Sequence, residues 1–215
     1  MARGSRSHPE SAGRSGDGRA GDRSRRGISY YVSRLWLWVF GWQVEGPPPG
    51  VAKGVVVAYP HTSNWDFPFA LAVAYYHQVD IRWLGKKAMF RPPFGAFFRW
   101  LGGIPVDRSK STGLVDSVVE TLDAADELCV VIPPEGTRGQ TGRWKSGFYW
   151  VAVKAKVPIV LSFLDYARKR GGIGTVFHPS GDIVADFEKI RDFYDSVLGK
   201  YPEKQVPISL LDPAA

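Results

Sequence analysis

A histidine and an aspartate lie five positions apart at His61 and Asp66, directly after an apolar run that ends at Tyr59. An imidazole whose second nitrogen is held by a carboxylate is a general base at neutral pH, and it can take a proton from a hydroxyl. The same two residues could instead be a loop histidine and a helix N-cap aspartate. The pair therefore indicates hydroxyl activation only if other parts of the chain supply the rest of a site.

Arg108 follows a second short apolar segment, residues 103–106, and is a further candidate for chemistry. A planar guanidinium at the end of a strand can bind a phosphate through two parallel hydrogen bonds. The alternative is a local surface pair with Asp107, which would contribute little to stability. Arg108 is thus a candidate anion-binding residue.

A third polar loop follows the apolar run at residues 128–132 and combines a carboxylate, a hydroxyl and a guanidinium. Glycine in such a loop lets the backbone approach a ligand closely. The charged residues could also serve only to close a turn. The members of this loop are Glu135, Gly136, Thr137 and Arg138, and Lys86 and Lys145 add cationic groups near the three loops.

Between the loops, apolar runs alternate with stretches of helical periodicity. We predict strands at residues 54–59, 81–84, 104–106, 128–132 and 158–163. We predict helices at residues 94–101, 112–127, 147–155 and 182–198, and one capped by Asn64 or Asp66 that runs to His77. This order predicts an α/β fold with a largely parallel mixed sheet flanked by helices. The glycine-rich segment 171–174 is expected to be a flexible turn.

The chain before residue 51 has a different character. Residues 1–27 hold seven arginines against three acids, so we expect a disordered basic tail. Residues 28–42 carry apolar side chains at helical spacing, and about 15 residues are fewer than the ~20 that span a bilayer. The helix could pack on the domain or be an amphipathic membrane-associating helix, and its Trp and Tyr content favours the membrane interface. We predict an interfacial helix and Pro-rich linker at 28–50 and a single domain at 51–215.

A second aromatic group either assists membrane contact or packs in the core. Its members are Phe94, Phe97, Phe98 and Trp100.

Composition narrows the function classes. More than half of the net charge of +7 belongs to the tail, whereas a nucleic-acid-binding domain usually carries clustered basic residues on its fold. Cys129 is the only cysteine, so a disulfide or a cysteine-based metal site within one chain is impossible and a reducing compartment is expected. The sequence contains no phosphate-binding Gly-x-x-x-x-Gly-Lys loop and no dinucleotide fingerprint. We expect no metal, no nucleic acid and no nucleotide cofactor.

Taken in order, the motifs resemble the four-block pattern of the glycerolipid acyltransferases, the lysophosphatidic acid acyltransferase group. The blocks are His61 to Asp66, Gly103 to Arg108, Glu135 to Arg138 and Val157 to Ile159, so the resemblance covers roughly residues 35–165. Pro60, Pro105 and Pro133 depart from the common pattern, and with Trp65 the chain resembles a short bacterial subgroup.

The resemblance implies a catalytic role for His61 and Asp66. It implies that Arg108 and the third block bind the phosphate and glycerol part of the acceptor, and that Pro158 supports the acyl-donor side. Lys86 resembles a lysine that often precedes the second block. The residues to which the resemblance and the neighbouring charges assign substrate binding are Lys86, Arg108, Glu135, Gly136, Thr137, Arg138, Lys145 and Pro158.

The expected activity is transfer of a fatty acyl group from acyl-CoA or acyl-carrier protein to a hydroxyl of a lysophospholipid such as 1-acylglycerol 3-phosphate. The expected partners are the acyl thioester donor, the lysolipid acceptor, a membrane surface and, where it is the donor, an acyl-carrier protein. The expected location is peripheral, on the cytoplasmic face of the plasma membrane. Two alternatives remain open: an acyltransferase for a non-phosphorylated lipid or sugar hydroxyl, and a non-catalytic membrane lipid-binding protein.

Overall fold

A mixed sheet of seven strands forms the centre of the fold. The computed structural model describes residues 27–106, 113–135 and 142–210. The strands are β1 (Gln43–Glu45), β2 (Lys53–Tyr59), β3 (Ile81–Lys86), β4 (Gly103–Val106), β5 (Leu128–Ile132), β6 (Ile159–Asp165) and β7 (Arg170–Phe177). The helices are α1 (Ile28–Val39), α2 (Asp66–Tyr76), α3 (Gly95–Trp100), α4 (Leu114–Asp123), α5 (Gly147–Ala155) and α6 (Ile183–Tyr194), with 3₁₀ helices at Lys87–Phe90 and Pro202–Lys204.

The strand order is β1-β7-β6-β2-β5-β3-β4. The five strands from β6 to β4 are mutually parallel, β7 is antiparallel to β6, and β1 runs parallel to β7. The prediction of an α/β fold with a largely parallel mixed sheet is therefore confirmed. Strand β2 lies between β6 and β5, with Val57 opposite both Leu161 and Ile132. The carboxyl ends of these strands consequently lie at one edge of the sheet.

Alternate side chains of β2 face the two sides of the sheet, as the strand period of two requires. Val55 and Val57 belong to the core cluster that also contains buried side chains of α4, α5 and α6. Val56 packs with Leu71 and Ala74 of α2 on the other side. Three helices thus cover one face, and α2 covers the other.

Helix α1 packs against α2 through a narrow stripe in which Tyr30, Ser33 and Leu37 are buried. Most of its remaining surface is apolar and exposed, although Ser29 and Arg34 are exposed on it as well. The outward residues, each more than half exposed, are Ile28, Tyr31, Val32, Leu35, Trp38 and Val39. Of the helices within the described ranges, none combines the length and the apolar character needed to cross a membrane.

Residues 43–45 lie within the predicted segment 28–50, yet they form a strand of the central sheet. Strand β1 pairs with β7, with Val44 opposite Gly171. Trp42, directly before it, stacks on Phe69 of α2 with ring centroids 4.4 Å apart. The first helix and the segment after it therefore pack into the same fold as the residues of the domain predicted at 51–215. The predicted basic tail lies outside the described residues, except for Gly27.

The prediction of a flexible turn at 171–174 is wrong, because these residues form the middle of β7. The glycines there are required by close packing. A Cβ atom on Gly172 would overlap the carbonyl oxygen of Glu45 in β1, and a Cβ atom on Gly174 would overlap the ring of Phe193 in α6. Glycine in a strand interior often marks such a close approach of another backbone or side chain.

Helix α4 is shorter than the predicted 112–127. It ends at Asp123, and residues 124–127 turn the chain into β5, whose first N–H, on Leu128, donates to the Ala52 carbonyl 2.8 Å away. A helix that continued to Glu127 would leave no residues for that turn. Thr112 lies outside the described residues.

Candidate active site

The loop after β2 and the loop after β5 meet because their strands are neighbours in the sheet. The backbone N–H of His61 donates to Glu135 Oε1 at 3.3 Å, although the two residues are 74 positions apart in the chain. The two loops therefore converge at the carboxyl edge of the sheet. Arg108, Gly136, Thr137 and Arg138 lie outside the described residues.

His61 and Asp66 form a close pair. His61 Nδ1 lies 3.3 Å from Asp66 Oδ2, and the histidine side chain is 21% exposed whereas the aspartate is 3% exposed. A carboxylate at Nδ1 favours the tautomer that carries its proton there, which leaves the lone pair on Nε2. The arrangement suits an imidazole that accepts a proton at Nε2.

Asp66 is held in place by two further donors. The backbone N–H of Ser63 donates to Oδ2 at 2.8 Å, and the hydroxyl of Tyr166 donates to Oδ1 at 2.8 Å. Asp66 is the first residue of α2, and neither Asn64 nor Asp66 caps that helix, because its N-cap residue Trp65 has no side-chain cap bond. The prediction of a capping role is therefore wrong. The carboxylate is instead directed back at the loop, where its charge is favoured by the helix dipole.

Tyr166 is a site residue that sequence reasoning missed. It lies 100 positions from Asp66, in the turn between β6 and β7. Burial raises the pKa of its hydroxyl well above the ordinary value, and the negative charge of Asp66 raises that pKa further. Tyr166 therefore stays protonated and remains a donor to Asp66. No local motif surrounds it, so the sequence contained no signal for its role.

Glu135 is 1% exposed, and its Oε1 atom accepts the hydrogen bond from the His61 N–H in the interior of the protein. Burial raises the pKa of its carboxyl from 4.5 to about 8; the hydrogen bond from His61 lowers it, and the charge of Asp66 raises it. The carboxyl is therefore mostly protonated at neutral pH. Glu135 therefore positions the backbone of the loop that carries His61.

Comparison with known proteins decides the family to which these loops belong. The model of a family described as Acyltransferase matches residues 42–161, which contain His61, Asp66 and Glu135. A 1-acyl-sn-glycerol-3-phosphate acyltransferase from Cocos nucifera is 34% identical over 210 aligned residues, covering 86% of this chain and 67% of the relative. The chain belongs to the glycerolipid acyltransferase family. It is an O-acyltransferase.

Three other residues predicted for the site of this acyltransferase belong to the described part of the chain, and they lie in different parts of the fold: Lys86, Lys145 and Pro158. Lys86 ends β3 at the carboxyl edge of the sheet and is exposed. The N–H of Lys145 donates to the Pro134 carbonyl at 2.9 Å, so its exposed side chain starts next to the third loop. Pro158 is buried before the start of β6, where its carbonyl accepts from the Val55 N–H.

Pro158 thus lies at the opposite end of β2 from His61. Parallel pairing sets Val55 against Ile159, and Tyr59 against Phe163 four residues later. Four residues of strand span about 13 Å. The structure brings His61, Asp66 and Glu135 together, with Lys145 beside them, and does not bring Pro158 to this group.

The described part of the chain contains no group of three or more His, Cys, Asp and Glu side chains that could hold a metal ion.

Proposed function

We propose that this acyltransferase moves a fatty acyl group from acyl-CoA or acyl-carrier protein to a hydroxyl of a lysophospholipid such as 1-acylglycerol 3-phosphate. The observation that carries the proposal is the 3.3 Å contact between His61 Nδ1 and the buried carboxylate of Asp66. The name of the Cocos nucifera relative, a 1-acyl-sn-glycerol-3-phosphate acyltransferase, supports an acceptor based on glycerol 3-phosphate.

In the proposed mechanism His61 acts as the general base. Nε2 takes the proton of the acceptor hydroxyl while that oxygen attacks the carbonyl carbon of the thioester. The tetrahedral intermediate collapses, the carbon–sulfur bond breaks, and the imidazolium returns its proton to the leaving thiolate. Asp66 stabilises the imidazolium and orients the ring, and no acyl-enzyme forms.

Radiolabelled acyl-CoA offered with a panel of lysolipids tests the activity. We expect transfer to a phosphorylated lysolipid by the full chain and no measurable transfer by His61→Ala. Undiminished transfer by that variant would refute the general-base role. Transfer to non-phosphorylated hydroxyls alone would assign the other acceptor class, and binding of lipid without any turnover would indicate a lipid-binding protein.

We further propose that Arg108 and Arg138 bind the acceptor's phosphate. Replacing either with alanine should raise the KM for the phosphorylated acceptor, by up to ~100-fold if each makes a charge-assisted contact, with little change in kcat. An unchanged KM in both variants would remove phosphate binding from these residues.

We also propose that the enzyme is a peripheral protein of the cytoplasmic face of the plasma membrane. The outward face of α1 supports this, because Ile28 is 83% exposed and Trp38 is 77% exposed. Phe94 and Trp100, at 63% and 77% exposed, form a second apolar patch around α3. Contiguous apolar surface of this kind is unusual for a protein that contacts only water.

The membrane proposal is tested by a double substitution, Leu35→Gln with Trp38→Gln, which leaves the buried Leu37 in place. We expect reduced sedimentation with anionic liposomes and unchanged thermal stability. Val184→Gln is the matched control, because Val184 is 56% exposed on α6, across the sheet from α1 and α2. Equal sedimentation of all three proteins would refute the anchor.

A further inference from the structure

The segment from Leu198 to Val206, here called the C-terminal strap, lies across the loop that carries His61 and Thr62. The N–H of Tyr201 donates to Thr62 Oγ1 at 3.2 Å, and the hydroxyl of Tyr59 donates to the Val206 carbonyl at 2.8 Å. A Cβ atom on Gly199 would come within 2.8 Å of the Thr62 side chain. The strap follows the residues 42–161 that match the family model, so the matched region does not by itself complete this side of the site.

The strap places the ammonium of Lys200 against aromatic residues that adjoin the His61–Asp66 pair. The ammonium of Lys200 lies 5.1 Å from the ring centroid of Trp65, 5.9 Å from that of Tyr201 and 6.0 Å from that of Tyr166. Trp65 directly precedes Asp66, and Tyr166 donates to Asp66. Aromatic faces within about 6 Å attract a cation, so three rings restrict where this side chain can point.

The charge of Lys200 is available to a ligand. Throughout the part of the chain that the structure describes, no carboxylate oxygen lies within 4.0 Å of its ammonium nitrogen. An ammonium has three N–H donors, and contact with ring faces leaves them able to bind an anion. Lysine is an established phosphate-binding side chain of this point-charge type.

The position of Trp65 indicates which anion reaches Lys200. Trp65 is 46% exposed, and its ring centroid lies 6.2 Å from that of Phe40, which directly follows α1. The apolar outward face of α1 therefore leads through Phe40 and Trp65 to Lys200. A lipid acceptor that enters from a membrane on this side has its phosphate at the depth of the interface, where Trp side chains also settle.

We propose that Lys200 binds the phosphate group of the lysolipid acceptor and holds it beside the loop that carries His61. The inference rests on the proposed acyl transfer to a phosphorylated lysolipid and adds a residue of the strap to the acceptor site. Lys200→Gln removes the charge and keeps most of the side chain. Lys204→Gln is the matched control, because Lys204 belongs to the same strap and its ammonium lies 4.5 Å from the Tyr201 ring centroid.

Steady-state kinetics of the full chain distinguish the possible phosphate sources. We expect Lys200→Gln to raise the KM for 1-acylglycerol 3-phosphate about 10- to 100-fold, the effect of one charge-assisted contact, with kcat and the KM for acyl-CoA unchanged. Lys204→Gln should change none of the three. A raised KM for acyl-CoA instead would assign Lys200 to the donor's phosphates and overturn the proposal. If Lys200→Gln no longer sedimented with anionic vesicles that lack lysolipid, Lys200 would be assigned to the bulk membrane surface, and the proposal would also be overturned.

Equilibrium binding separates this proposal from the proposed activity. A short-chain lysophosphatidic acid is titrated into the parent chain and into Lys200→Gln by calorimetry, with no thioester present. About 10-fold or greater weakening in Lys200→Gln supports the phosphate contact even if the parent transfers no acyl group. Equal affinities, or no binding by the parent, overturn it even if acyl transfer is observed.

Discussion

Replacing Tyr166 with phenylalanine tests whether the His61–Asp66 pair depends on a residue from a distant turn. The substitution removes one oxygen atom and with it the 2.8 Å bond to Asp66 Oδ1. The ring contact with Trp42, whose centroid is 4.9 Å away, remains. The variant therefore isolates the hydroxyl.

The expected loss follows from the partners of Asp66. A hydrogen bond to a charged group contributes about 1.5–3 kcal/mol, and ~1.4 kcal/mol corresponds to a tenfold change in rate. The Ser63 N–H still donates to Oδ2 and keeps part of the orientation. We therefore expect kcat to fall about 10-fold and at most about 100-fold, since the carboxylate can then rotate away from the ring. The KM values should stay within about twofold, because Tyr166 acts through Asp66 rather than on substrate.

Tyr149→Phe is the matched control. The hydroxyl of Tyr149 also donates to a carboxylate, Asp186 Oδ2 at 2.9 Å, but Tyr149 lies in the core on the face covered by α4, α5 and α6. The free energy of unfolding should fall by about 1–3 kcal/mol in both variants, and only Tyr166→Phe should have a lower kcat. Acyl transfer and urea unfolding are measured on both. A kcat for Tyr166→Phe within about twofold of the parent, or an equal loss in Tyr149→Phe, would refute the positioning role.

Three other predictions concern stability and reactivity. The pKa of Glu135 is about 8 in the folded protein and ~4.3 in the unfolded chain, so between these pH values the folded protein holds one proton more. The free energy of unfolding should therefore fall as pH rises through this window, by at most ~1.4 kcal/mol per pH unit. Glu135→Gln should remove this slope in urea unfolding between about pH 5 and pH 8, and an unchanged slope would contradict the raised pKa. Burial raises the pKa of the Cys129 thiol to about 11, so iodoacetamide should modify it only after unfolding; rapid alkylation of the native protein would contradict its burial. Gly172→Ala should lower the free energy of unfolding by about 1–3 kcal/mol, because its Cβ atom would overlap the Glu45 carbonyl. Gly147→Ala should not lower it, because the space at its Cβ position is open, and thermal melts of the two variants compare them.

The sequence predicted those features of the site that depend on local spacing and strand order. A turn that separates His61 from Asp66 by five positions can bring the two side chains together at the start of a helix. Glu135 follows another strand of the same parallel sheet, so the carboxyl-edge rule was enough to expect it near His61. The sequence did not show that Glu135 positions the His61 backbone, because its burial and its hydrogen bond with the His61 N–H exist only in the folded chain.

Helical periodicity predicted α1 but not which side chains it buries. The apolar spacing in residues 28–42 is satisfied on both sides of the helix, so only packing against α2 shows that Leu37 is buried while Leu35 and Trp38 are exposed. The glycines of β7 were misassigned for a related reason. Glycine is typical of turns, and its alternative use at a close approach becomes visible only when β1 and α6 are in place.

By itself, the sequence determined the family, the order of the five parallel strands along the chain and the identity of the His61–Asp66 pair. Only the tertiary structure decided what surrounds that pair. Tyr166 reaches Asp66 across 100 positions, Lys200 reaches Trp65 from the C-terminal strap, and Pro158 lies at the far end of β2. The physical reason is that spacing along the chain constrains neighbours within one or two turns, whereas contacts between distant segments arise from strand pairing and helix packing.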